Sequence, residues 1–86
     1  MQTIWKYKLD IVELQFVNMP LNSKILTVMM QDTQLCLWAE VLPDIPTEDR
    51  TIEIFGTGNP MDYTVNRKYI GSVNDGVFIW HIYEQL

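Results

Sequence analysis

Polar and apolar positions alternate along this chain in short runs and never settle into a helical period. Thr3 to Leu9 puts Trp5, Tyr7 and Leu9 on one side and Lys6 and Lys8 on the other, the period of a half-buried strand. Leu14-Gln15-Phe16-Val17 alternates weakly and stops at Met19-Pro20, which predicts a short second strand. Lys24 to Gln31 and Leu35 to Val41 are two β-type runs joined by Asp32-Thr33-Gln34, a hairpin signal. In the first run Ile25, Thr27 and Met29 share one face, with Leu26, Val28 and Met30 on the other. In the second, Leu35, Leu37, Ala39 and Val41 oppose Cys36, Trp38 and Glu40. Both faces of this hairpin are largely apolar, so it is either sandwiched within one chain or faces a second copy.

Pro43 to Asp49 has the composition of a surface loop, with Thr47-Glu48-Asp49 able to cap one helical turn at most. Thr51-Ile52-Glu53-Ile54-Phe55 is the most regular strand pattern, and it runs into Gly56-Thr57-Gly58-Asn59-Pro60. Met61 to Arg67 has no period and reads as irregular. Lys68 to Val73 resumes a strand. Asn74-Asp75-Gly76 is a turn signal, because Asp-Gly accepts the positive φ of tight hairpins. Val77 to Tyr83 closes the pattern, with Val77, Ile79, His81 and Tyr83 opposite Phe78, Trp80 and Ile82. About seven strands with regular turn signals predict a single all-β domain over residues 1–86, an antiparallel sandwich or small open barrel.

An apolar share of 48% in 86 residues excludes disorder as the default state. No apolar run reaches the roughly 18 residues of a membrane span, and Met1 to Lys8 lacks the apolar core of a signal peptide. The single cysteine, Cys36, cannot form an internal disulfide, which fits a reducing cytoplasm. Net charge is −5, concentrated in the middle of the chain, where Asp32, Glu40, Asp44, Glu48, Asp49, Glu53 and Asp62 face only Arg50. Nucleic-acid binding needs a basic face, so direct contact with nucleic acid is not expected. The acidic centre is a solvated edge or a surface that docks on a basic partner.

The glycine loop is the main candidate for chemistry. It lacks a third glycine, a following helix and a Gly-Lys-Ser/Thr signature, so it matches no nucleotide fingerprint. It is a structural turn, or its backbone amides bind an anion or small polar ligand. Arg67-Lys68 is the only adjacent basic pair and could return beside it. Trp5, Trp38 and Trp80 lie within strands, where aromatic residues usually pack a core. Alternatively, Trp38 or Trp80 offers a stacking face. His81, the only histidine, reads as a core or interface residue before a base, and Cys36 with His81 is too small a set for zinc. No nucleophile, acid–base pair, metal set or cofactor signature emerges, so no enzyme is expected. The candidate ligand site is therefore Phe55, Gly56, Thr57, Gly58 and Asn59, with Arg67, Lys68, Trp38 and Trp80.

Ile4-Trp5-Lys6-Tyr7, Met19-Pro20, Lys24-Ile25-Leu26, Leu35-Cys36-Leu37-Trp38-Ala39, Phe55-Gly56-Thr57-Gly58-Asn59-Pro60 and Lys68-Tyr69-Ile70-Gly71 together resemble a family of small uncharacterised proteins of phages, prophages and their hosts. The resemblance covers nearly the whole chain. Members of that family often carry histidine where Asn59 stands. What the resemblance implies is context: a cytoplasmic phage accessory protein that helps the phage against host defence. Within that context two binding roles are expected. One is a homo-oligomeric sponge that sequesters a small anionic nucleotide-derived immune signal. The other is an acidic protein that binds and inhibits a host defence protein directly, by nucleic-acid mimicry or another protein contact.

Overall fold

The structure, a computed structural model describing residues 1–86, contains seven strands and no helix. They are β1 (Thr3–Lys8), β2 (Leu14–Pro20), β3 (Lys24–Gln31), β4 (Gln34–Val41), β5 (Thr47–Gly56), β6 (Arg67–Asn74) and β7 (Ile79–Gln85). A three-stranded sheet runs β1-β4-β3 and a four-stranded sheet runs β2-β5-β7-β6, with every neighbouring pair antiparallel. The sheets do not close into a barrel. The shortest dimension, 15 Å, fits two stacked layers, so of the two expected architectures the chain adopts the sandwich.

The core follows the alternation. Leu35, Leu37, Ala39 and Val41 of β4 meet Ile52 and Ile54 of β5, with Val17, Met19 and Ile82 beside them. Each fully buried aliphatic side chain contributes roughly 1.5–3 kcal/mol through removal from water.

Two bulges change the faces that simple alternation predicts. In β3 the register passes from Ile25↔Ala39 to Thr27↔Trp38, which leaves Leu26 as the extra residue. Ile25, Val28 and Met30 therefore point inward together, and Thr27 and Met29 share the outer face. The expected grouping of Ile25 with Thr27 and Met29 is corrected on this account. In β6 the register passes from Tyr69↔Tyr83 to Gly71↔Ile82. Gly71 then lies against Val28 across the sandwich, where an added Cβ would come within 3.1 Å of the valine methyl.

The polar stretch Thr47–Arg50 is strand, not loop or helical cap: it pairs with Pro20 to Val17 of β2. Asp49 accepts from the Asn18 side-chain amide, and Glu48 accepts from the Asn22 backbone. Arg50 turns inward, where Nη2 donates to Glu84 at 2.9 Å, Nε donates to the same carboxylate, and Nη1 donates to the Ser23 carbonyl at 2.8 Å. Val77 and Phe78, expected within the last strand, instead belong to the turn before β7.

Candidate functional site

The glycine loop is a tight turn. The Asn59 N–H donates to the Gly56 carbonyl at 3.0 Å, and Gly58 at the third position has φ 88°. That backbone conformation favours glycine, as in a type II turn. Gly56 serves differently. It lies opposite Trp80, and a Cβ there would stand 3.2 Å from both the Trp80 ring and the Asn59 side-chain nitrogen. Gly58 permits the turn, and Gly56 lets the indole and Asn59 approach the main chain.

Trp80 is fixed from its other end. Its Nε1–H donates to Asp75 Oδ2 at 2.8 Å, while Asp75 Oδ1 accepts from the backbone N–H groups of Val77 and Phe78 at 2.8 and 2.7 Å. The Phe78 amide, and then the Trp80 indole, hold the Asp75 carboxyl below the usual carboxylate range. The Asn-Asp-Gly turn thus orients Trp80 as well as reversing the chain.

Two hollows flank the ridge formed by Asn59 and Trp80. The first, about 270 Å³, is bordered by Ile11, Val12 and Glu13 from the β1–β2 connection, by Asn59 and Pro60, and by Trp80, with Ile54 and Phe55 of β5 also contributing. The second, about 220 Å³, lies between Gly56, Thr57, Asn59, Phe78, Ile79 and Trp80. Both fall just under the roughly 300–1,000 Å³ of a pocket for a drug-sized ligand. The first holds a single carboxylate, Glu13, and neither holds a cation.

The expected site residues divide accordingly. Gly56, Thr57, Asn59 and Trp80 come together, with Gly58 in the turn between them and Phe55 at the edge of the first hollow. Arg67 does not join them as a free cation. It forms a fork on Glu53, with Nε to Oε1 at 2.8 Å and Nη2 to Oε2 at 3.4 Å, and Nη1 donates to the Asp62 carbonyl at 2.7 Å. Its guanidinium lies 5.1 Å from the centre of the Phe55 ring, which is buried and meets Tyr83 edge-on. Lys68, opposite Glu84 in the register, is exposed and makes no ion pair. Trp38 belongs to the other sheet, between Lys6 and Thr27, and borders neither hollow. The two tryptophans thus do not flank one site. Asp62, bonded to both the hydroxyl and the backbone N–H of Thr64, has its carboxyl lowered by those bonds and caps the next turn.

Sequence reasoning missed a chain of hydroxyls around His81. Its Nδ1 lies 2.9 Å from Ser72 Oγ and its Nε2 2.8 Å from Thr57 Oγ1, and Ser72 Oγ is 2.7 Å from the Tyr69 hydroxyl. The sequence held no signal for it: with Val77 and Phe78 read as strand, counting back from the Asn-Asp-Gly turn sets Ser72 opposite Phe78, and the longer turn is what brings it opposite His81. Ile11, Val12 and Glu13 carried no signal either. No group of three His, Cys, Asp or Glu side chains is gathered as a metal site requires. No helix is long and apolar enough to cross a membrane.

Comparison with curated proteins and with solved structures finds no match. A family model does match, over residues 1–86, and it is described as Domain of unknown function (DUF7352). The chain, with its all-β sandwich and the Asn59–Trp80 ridge, therefore belongs to the DUF7352 family.

Proposed function

We propose that this protein is a non-enzymatic binding domain that captures a nucleotide-derived small molecule, holding its base against Trp80. The observation that carries the reading is the first hollow: about 270 Å³, largely apolar, and bordered by Asn59 and Glu13. A nucleobase is flat, stacks on an aromatic face for roughly 1–3 kcal/mol, and presents both donors and acceptors at its edge. Asn59 matches either kind of edge group, and Glu13 accepts from an exocyclic amine or ring N–H.

The electrostatics refine the expectation drawn from the loop. With Arg67 engaged by Glu53 and no cation at either hollow, recognition rests on the base and its attached ring. Phosphates of the ligand extend into solvent and contribute little affinity. Within the phage context that the family resemblance implies, the role is that of a cytoplasmic counter-defence sponge for an immune signal. Assembly into a homo-oligomer fits the outer face of the three-stranded sheet, where Ile4, Trp38 and Met29 lie together and Ile4 and Met29 are half exposed. Calorimetry with adenosine, adenosine monophosphate, cyclic nucleotides and ADP-ribose tests the reading. Adenosine and its monophosphate binding equally well supports it. Failure of the whole panel, with capture of a host defence protein that charge reversal at Glu48 and Asp49 abolishes, moves the answer to direct protein inhibition.

A further inference from the structure

The second hollow has a different chemistry from the first. Its polar lining residues are Asn59 and Thr57, and the Thr57 hydroxyl ends the chain Thr57–His81–Ser72–Tyr69. Phe78, Ile79 and Trp80 supply apolar surface beside it, and Asn59 is common to both hollows. We infer that this hollow is a subsite for the hydroxyls of a neutral sugar ring, read by Thr57 through His81. The inference rests on the base-binding reading above for its place in a whole ligand, and it adds the chemical class of the second moiety.

The hydrogen-bond chain favours a hydroxyl over a phosphate. It has two self-consistent polarities. In one, Tyr69 donates to Ser72, Ser72 donates to His81 Nδ1, and Nε2–H donates to Thr57, whose own proton is then free for a ligand acceptor. In the other, Thr57 donates to Nε2, Nδ1–H donates to Ser72, and Ser72 donates to Tyr69, so the Thr57 oxygen accepts from a ligand donor. The two differ by hydroxyl rotation and by exchange of one imidazole proton with water, so protons balance and net charge is constant. A sugar hydroxyl both donates and accepts, and satisfies either polarity. A phosphate diester or fully ionised phosphate group only accepts, which suits one polarity alone, and no phosphate of any form meets a cation at this hollow. Asn59 and the aromatic ridge then place a sugar and a base on adjacent sides of one divider, the arrangement of a nucleoside.

The single histidine makes the test direct, because one imidazole gives the only ring signals. Ring nitrogen shifts of His81 and the assigned indole N–H of Trp80 are followed by NMR with four probes: adenosine, adenine, methyl β-D-ribofuranoside and inorganic phosphate. Adenosine is expected to move both signals and shift the His81 tautomer balance. Adenine moves Trp80 and leaves His81 still, the riboside moves His81 with a smaller shift of the Trp80 indole that borders the same hollow, and phosphate moves neither. Thr57→Val is expected to weaken adenosine about three- to tenfold, the loss of one hydrogen bond, with adenine unchanged. Ser72→Ala, outside the hollow, is expected to change the tautomer balance of the free protein and weaken adenosine in the same direction, which covers the case of a misfolded Thr57 variant. Adenosine and adenine binding alike, with His81 silent, overturns the sugar subsite and leaves the base reading standing. A His81 response to the riboside without any Trp80 response to adenine does the reverse. Silence of both residues to all four probes overturns both, and phosphate moving His81 replaces the sugar by an oxyanion.

Discussion

Alanine at Gly58 and alanine at Gly56 separate the turn from the hollows it borders. At Gly58 an added methyl meets nothing within 4 Å, so the whole effect is backbone: φ is 88°, in the region that an L-residue disfavours. That costs about 1–2 kcal/mol, and stiffening of the unfolded chain returns part of it. A net loss of about 1 kcal/mol lowers Tm by about 4–8 °C in a domain of this size. Gly56→Ala acts by contact. The methyl stands 3.2 Å from the Asn59 amide nitrogen and 3.2 Å from the Trp80 ring, and Trp80 is tied to Asp75, so the ridge between the hollows must part. Overpacking of this kind costs about 1–3 kcal/mol. Thermal unfolding by circular dichroism therefore distinguishes the two poorly, and adenosine calorimetry distinguishes them well. Gly58→Ala, still folded at 20 °C, is expected to bind within about twofold of the parent, while Gly56→Ala loses about tenfold or more, equivalent to about 1.4 kcal/mol. If folded Gly58→Ala loses binding and Gly56→Ala keeps it, the turn itself holds the ligand and the ridge reasoning is refuted.

Glu84→Ala strands the Arg50 guanidinium, whose side chain is 18% exposed beside a Glu84 that is 8% exposed; the expected loss is about 3 kcal/mol in urea unfolding, with Arg50→Met/Glu84→Leu recovering most of it. The Asp75 carboxyl titrates lower in the folded chain than in the unfolded one, so the stability it contributes is present above the ordinary carboxylate pKa of about 3.9 and is lost as pH falls through the folded value. Asp75→Asn should therefore lower Tm at pH 6 and flatten the fall of Tm below about pH 4; an unchanged acid limb would contradict that assignment. Arg67→Ala leaves Glu53 buried without its partner and uncovers Phe55, which should cost about 2–4 kcal/mol in the same urea assay. Adenosine affinity of the folded variant should stay within about twofold, and its loss would return Arg67 to the ligand site.

The strands were legible wherever one face met the core and the other met solvent. β4 and β7 have the faces that their alternation implies, and Asp32-Thr33 joins β3 to β4 as the hairpin signal indicates. Two bulges were not legible, because Leu26 and Ile70 are ordinary strand residues and only the pairing register with the neighbouring strand singles them out. Thr47–Arg50 was hidden for a different reason. Glu48, Asp49 and Arg50 find their partners in the Asn22 backbone, Asn18 and Glu84, all distant in sequence. At the site, the glycine loop marks its own position, since a turn with positive φ needs glycine. Arg67-Lys68 misled because adjacent strand residues point to opposite faces, so a basic pair in sequence is not a basic patch in space. Trp38 misled because β4 lies in the other sheet.

Backbone and indole NMR shifts of the wild-type protein titrated with adenosine and with ADP-ribose test the central claim most directly. Shifts centred on Val12, Thr57, Asn59 and Trp80, with Trp38 still, are the predicted result. Shifts centred on Trp38 or on Glu48 and Asp49, or none with either compound, would contradict it.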